Sequence, residues 1–269
     1  MSLFADSPRP ALVGMIHVPA LPGTPDHRLS MADIVATVTG EAEVYADAGV
    51  DGVLLENMHD VPYLRGGVGP EITAAMTAVA ARAAEIFPGP VGVQVLAGAN
   101  REALAVALAA GLQFVRVEGF VFGHVADEGW LDACAGPLLR YRREIGAAHV
   151  QVLADIKKKH AAHAPTADVS LAGTAAAAAF AGADGVIVTG AATGEVAAAA
   201  DVTAARDACG LPVLVGSGVT AANLRDYAGA DAVIVGSHLK TDGRWRSPLD
   251  PDRVAALVAA RDALEGGGA

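Results

Sequence analysis

The chain has 269 residues, with 53% hydrophobic and only 4% aromatic content and a formal net charge of −11. That length suits one large α/β domain, and the acidic balance argues against nucleic acid as a main partner, because a phosphate backbone calls for a basic stripe. A small phosphorylated ligand needs only a local positive patch and stays open.

The start, M-S-L-F-A-D-S-P-R-P, lacks the basic and apolar regions of a signal peptide, and residues 1–10 read as a loose N-terminal extension. The first predicted strand is Leu12–Ile16, followed by a Pro/Gly-rich loop and a helix over Asp33–Ala48. A strand at Gly52–Glu56, a loop to Pro70 and a helix over Glu71–Phe87 come next. Strand three is Val91–Val95 with a helix over Asn100–Ala110. Strand four is Phe114–Val117, then a long loop and a helix over Leu131–Ile145. Strand five, Val150–Ile156, leads to a helix over Val169–Ala181, and strand six, Gly185–Val188, to a helix over Val202–Cys209. Strands Pro212–Val215 and Ala232–Val235 are separated by a short helix at Ala221–Tyr227, and the last helix is Asp252–Leu264.

Leu171–Gly194 is nearly uncharged, but Asp184 and the G-A-D-G break mark it as helix, turn and strand, so no integral membrane segment is expected. Cys134 and Cys209 match no metal or redox spacing and read as reduced thiols of a cytoplasmic protein.

Four segments repeat one design: A-G-V-D-G-V-L-L-E, A-G-L-Q-F-V-R-V-E, A-G-A-D-G-V-I-V-T and A-G-A-D-A-V-I-V-G, beginning at Ala48, Ala110, Ala181 and Ala228. They fall on the even-numbered strands. Eight strands alternating with eight helices predict a single-domain (β/α)8 TIM barrel over residues 1–269, with parallel strands and right-handed crossovers. A doubly wound sheet would more often carry its glycine-rich loop after the first strand, where this chain has His17 and prolines.

The glycine-rich turns come late instead. Gly216-Ser217-Gly218 follows strand seven and Gly236-Ser237 follows strand eight. Glycine lets the backbone approach a ligand, and a helix start behind the first turn favours an anion, so both turns are candidate phosphate sites.

Active sites of such barrels lie at the C-terminal strand ends. There the polar residues are His17, Glu56, Gln94, Arg116 with Glu118, Asp155 with Lys157, and Thr189, with Asn57 and Gly190 as further pocket-lining positions. Asp155 and Glu56 are candidate acid/base groups or partners in a structural ion pair with Arg116 or Lys157. Of the run Lys157-Lys158-Lys159-His160, only Lys157 has the strand parity to point inward, so it is the expected electrophile or phosphate partner, with His17 as an alternative. His59, Asp60 and Tyr63 form a lid or cap the next helix. His124, His149 and His163 read as surface or loop residues. A divalent metal held by His17, Glu56 and Asp155 is an open alternative that the spacing does not decide, since the three lie on separate strands, and no cofactor is otherwise implied.

Six segments carry a resemblance to a known family: Gly14–Pro25, Leu55–Tyr63, Ala154–His160, Val188–Gly194, Val213–Thr220 and the tail from Ile234 to Val254. They are similar to the BtpA/SgcQ family along almost the whole chain. The resemblance implies a barrel of the ribulose-phosphate-binding type, adds His160 to the candidate pocket, and suggests roles in photosystem I biogenesis or carbohydrate metabolism. Gln94 and the Val117–Gly119 segment depart from the family pattern, which has asparagines there.

Two functions compete. One is an enzyme acting on a small phosphorylated sugar-like metabolite by isomerase, epimerase or aldolase chemistry. The other is a non-catalytic assembly or stability factor that binds a protein partner. The Ala-rich helices also leave room for a homo-oligomer.

Overall fold

The apolar runs predicted as strands close into a barrel in the computed structural model, which describes residues 3–4, 7–8, 10–190 and 196–265. In chain order the elements are β1 (Ala11–His17), α1 (Met31–Ala48), β2 (Gly52–Glu56), α2 (Pro70–Ile86), β3 (Val91–Gln94), α3 (Asn100–Ala110), β4 (Phe114–Val117), β5 (His124–Ala126), β6 (Gly129–Leu131), α4 (Ala135–Glu144), β7 (Gln151–Ile156), β8 (Ala161–Ala162), α5 (Leu171–Phe180), β9 (Gly185–Val188), α6 (Ala199–Cys209), β10 (Val213–Val215), β11 (Ala232–Val235) and α7 (Pro251–Glu265). The parallel barrel runs β1, β2, β3, β4, β7, β9, β10, β11 and returns to β1. This is the expected TIM barrel.

Both faces of each barrel strand are covered, which is why the strands read as continuous apolar runs. Outward residues pack on the helices. Inward residues, among them Val13, Met15, Leu54, Phe114, Leu153, Ile187, Leu214 and Ile234, form a separate apolar cluster that fills the barrel. Gly92 on β3 makes room for the large Phe114, since a Cβ there would sit 2.3 Å from the ring.

The four-fold repeat has a physical role at the N-terminal end of the barrel. The fourth residue of each copy accepts the first free N–H of the preceding odd-numbered barrel strand. Asp51 takes Leu12 N at 2.8 Å, Gln113 takes Val91 N at 2.8 Å, Asp184 takes Val152 N at 2.8 Å and Asp231 takes Val213 N at 3.0 Å. Each copy thus pins the strand beside its own, so the motif recurs every second strand.

Four expectations need correction. Phe4 does not belong to a loose extension: it is 5% exposed and packs edge-on against Phe114, closing the N-terminal end of the barrel. The predicted seventh helix is only a 3-10 turn, Leu224–Tyr227, leaving seven α-helices among the described residues. The helix predicted from Leu131 starts at Ala135, because residues 124–131 instead form a hairpin closed by the two-residue turn Asp127-Glu128. That hairpin also pairs with β8, so a three-stranded antiparallel sheet ties the loop after β4 to the loop after β7. Finally, His124 opens β5 as a buried residue, not a surface one.

Candidate active site

Three adjacent strands end in one polar row. His17, Glu56 and Gln94 are direct register partners on β1, β2 and β3, so side-chain alternation turns all three to the inner side of the C-terminal end. His17 Nδ1 lies 3.1 Å from the carbonyl of Trp245. A carbonyl only accepts, so Nδ1 carries the proton and Nε2 remains an acceptor. Burial, with the charge of Lys240 adding to it, keeps this ring neutral and pushes its pKa down to about 3. Burial pushes the Glu56 carboxyl up; Arg116 and Lys159 pull against that, while Glu118 and Asp155 reinforce it.

The opposite side of the mouth carries the cations. Arg116 Nε donates to both carboxylate oxygens of Asp155 at 3.1 Å, and both side chains are buried. Glu118 accepts from Gln94 Nε2 at 3.2 Å and from Lys158 Nζ at 2.9 Å. The Lys159 backbone N–H donates to Thr189 Oγ1 at 3.0 Å, and its ammonium donates to Ser217 Oγ at 3.1 Å. Burial lowers the Lys159 pKa and Arg116 lowers it further, against the pull of Glu56, Asp155 and Glu118.

The glycine turns follow. Gly218 sits at φ 73°, and Asn223 closes its turn by donating to Gly218 O at 2.9 Å while accepting from Thr220 N at 2.7 Å. Gly236 begins a second turn, Ser237–Leu239, and its missing side chain matters: a Cβ there would lie 3.0 Å from His17 Nε2.

The sequence signature of the BtpA family matches residues 9–263. The chain belongs to the BtpA family. It is 49% identical over 263 residues to a Caenorhabditis elegans protein named F13E9.13, mitochondrial, a match covering 96% of this chain and 95% of that one. It is 34% identical over 251 residues to the photosystem I biogenesis protein BtpA of Synechocystis, covering 93% of this chain and 87% of the relative. Among solved structures, the fold resembles orotidine 5′-monophosphate decarboxylase of Methanocaldococcus jannaschii, with a TM-score of 0.59 at 12% identity over 94% of this chain and 99% of that one. It also resembles phosphoribosyl anthranilate isomerase of Thermus thermophilus, with a TM-score of 0.54 at 13% identity and the same coverage, 94% and 99%. At such identities the likeness shows the fold alone.

Within this BtpA-family barrel, several expected roles change. Lys157 is not the inward lysine. β7 ends at Ile156, and Lys157 adopts the left-handed conformation at φ 48°, which breaks the strand alternation on which the parity argument rested. Its ammonium donates to Thr166 O at 2.8 Å, and Lys159 enters the mouth in its place. His160, at φ 55°, is carried outward and exposed, so it does not line the pocket. Asn57 is a loop holder: Oδ1 accepts from Leu96 N at 2.7 Å and Nδ2 donates to Asp60 at 2.8 Å. Asp60 in turn accepts from Leu21 N, so it fixes a loop and caps no helix. His59 lies against Trp245, ring centroids 5.0 Å apart, joining the loops after β2 and β11.

Other expectations are narrowed. The N–H of Gly216 is committed to Val188 O at 2.8 Å, so it is not available to an anion. No α-helix stands behind the first glycine turn. Gly190 is buried directly after Thr189, while residues 191–194 of the V-T-G-A-A-T-G motif lie outside the described residues. Asp155 is tied to Arg116, and among the described residues no three His, Cys, Asp or Glu side chains are arranged to hold a metal ion. No helix among the described residues is long and apolar enough to cross a membrane.

Two features escaped the sequence. Lys240 is 1% exposed beside β11, and its ammonium donates to both oxygens of Glu41 on α1 at 2.6 and 2.8 Å. A cavity of about 20 Å³, lined in part by His124, Lys157, Lys158 and His163, adjoins Asp155 and has room for about one water molecule. Nothing in the periodicity marks a lysine 199 residues from its partner.

Proposed function

We propose that this protein is an enzyme that binds a small phosphorylated, sugar-like metabolite at the C-terminal mouth of the barrel. The observation that carries this reading is the contact between Lys159 and Ser217. It sets an ammonium at the rim of two adjacent Gly–Ser turns, the position where (β/α)8 barrels commonly hold phosphate. The phosphate rests on the turns Ser217–Gly218 and Gly236–Ser237 with Lys159 beside it. Two fold neighbours, the isomerase and the decarboxylase, carry phosphorylated substrates in their names, which agrees with this seat.

Glu56 is the acid/base group of this reading. Of the mouth carboxylates Glu56, Glu118 and Asp155, it alone has no hydrogen-bond partner among the described residues, and burial raises its pKa. It moves a proton next to a carbonyl, and Lys159 stabilises the oxyanion that forms, as isomerase, epimerase or aldolase chemistry requires. Asp155 fixes Arg116. The Synechocystis relative, a photosystem I biogenesis protein, favours a second reading, an assembly factor working through a protein partner in the cytoplasm.

Thermal unfolding with a panel of sugar phosphates tests the first reading. A ligand at about 100 times its dissociation constant adds about 2.7 kcal/mol, or roughly 5–10 °C for a domain of this size. We expect such a shift from at least one sugar phosphate and its loss in Lys159→Met. No shift from any phosphorylated compound would overturn the reading and favour the assembly factor.

A further inference from the structure

Gln94 carries the least satisfied polar atom of the mouth. It is 2% exposed, and its Oε1 is buried with no hydrogen-bond partner. The orientation of the amide is fixed by chemistry. The neighbouring Glu118 oxygen accepts and is part of a carboxylate already engaged by Lys158, so the Gln94 NH₂ must face it and Oε1 must face away. A buried, unmatched acceptor is unfavourable unless a ligand supplies a donor.

Its neighbours in the row also offer acceptors. His17 has Nε2 left as an acceptor, since Nδ1–H is spent on Trp245 O. The carboxyl of Glu56 offers an acceptor oxygen in either protonation state. Three acceptors on β1, β2 and β3 therefore stand side by side, facing Arg116, Lys159, Thr189 and Ser217 across the mouth. The row of β1, β2 and β3 offers acceptors, while the other side holds cations and hydroxyls, with Asp155 and Glu118 paired to Arg116 and Lys158.

We infer that the substrate is a polyhydroxylated sugar phosphate whose hydroxyl-bearing end lies over His17, Glu56 and Gln94, and that Gln94 is the residue that selects it over phosphorylated acids. This rests on the phosphate seat proposed above. A carboxylate at the distal end would meet the acceptors His17 Nε2 and Gln94 Oε1, which cannot donate to it; a run of hydroxyls would satisfy both, and Glu56 in either protonation state. Gln94 is then a specificity-determining residue that reads a substrate hydroxyl.

The test is titration calorimetry of the full chain with inorganic phosphate, 2-phosphoglycolate, and a set of pentose and hexose phosphates. We expect at least one sugar phosphate to bind tenfold or more tightly than 2-phosphoglycolate. In Gln94→Met, similar in volume and lacking the acceptor, that sugar phosphate should lose about tenfold in affinity while inorganic phosphate binds as before. Retained phosphate binding and an unchanged melting temperature show that the variant is folded; should Gln94→Met not fold, Gln94→Leu, which also lacks the acceptor, replaces it and must give the same ranking. If phosphate and 2-phosphoglycolate bind but no sugar phosphate is preferred, or the preference survives in the variant, the inference is overturned and the phosphate seat stands. If no phosphorylated compound binds, the seat itself is wrong and the inference falls with it.

Discussion

Arg116 grips Asp155 through a single nitrogen, Nε, placed 3.1 Å from each carboxylate oxygen, with both side chains buried inside the mouth. Removing one partner leaves the other charge buried and uncompensated. Asp155→Ala should therefore destabilise the fold by about 3–5 kcal/mol. Replacing both, as Arg116→Met with Asp155→Leu, should recover most of the loss. Urea unfolding of the two variants checks this, and equal losses would show that the ion pair is not what holds these residues.

The lysine run offers a sharp contrast. Lys159→Met should weaken binding of any phosphorylated ligand by tenfold or more, because its ammonium sits on Ser217. Lys157→Met should leave that affinity within about twofold, because its ammonium is spent on Thr166 O. Isothermal titration of both variants with the same ligand decides between them, and the reverse order would restore the strand parity argument.

At the other end of the barrel, Gln113→Leu removes the acceptor for Val91 N. The buried N–H then loses its partner, at a cost of about 1–3 kcal/mol. A melting curve measures it, and ligand affinity should be unchanged, since the site lies at the far end of the strands.

The neutral state of His17 makes a pH prediction. Its pKa is about 3 in the folded chain, against about 6.5 when unfolded. Between these values the unfolded chain holds a proton that the folded chain does not. The contribution is therefore fully present above pH 6.5 and is lost as pH falls toward 3, with a slope of up to about 1.4 kcal/mol per pH unit. His59 and His124, both lowered to about 4 mainly by burial, act in the same direction. The raised pKa of Glu56 acts in the opposite direction. Comparing the protein with His17→Gln isolates the term: the variant should lose less stability between pH 6.5 and 4.5. Parallel curves would sink the assignment.

The barrel was legible because its signals are local. Apolar runs, helix-ending glycines and the fourfold repeat each lie within a few residues, and every barrel strand falls within a residue or two of its predicted bounds. The row His17, Glu56 and Gln94 was legible for the same reason, since alternation holds for as long as the strand does. It failed at Lys157, where one left-handed residue past Ile156 reverses the order of three identical lysines. Side chains alone could not reveal that turn. The hairpin after β4 and the pair of Lys240 with Glu41 were hidden differently, because each depends on contacts between loops or elements that come together only once the barrel has closed.

Phe4 seals the barrel at the end opposite the mouth. Any chain joined ahead of it therefore leaves from the floor of the molecule. A tether or fused fluorescent protein placed there would start from the end opposite the mouth and leave the mouth open to ligand.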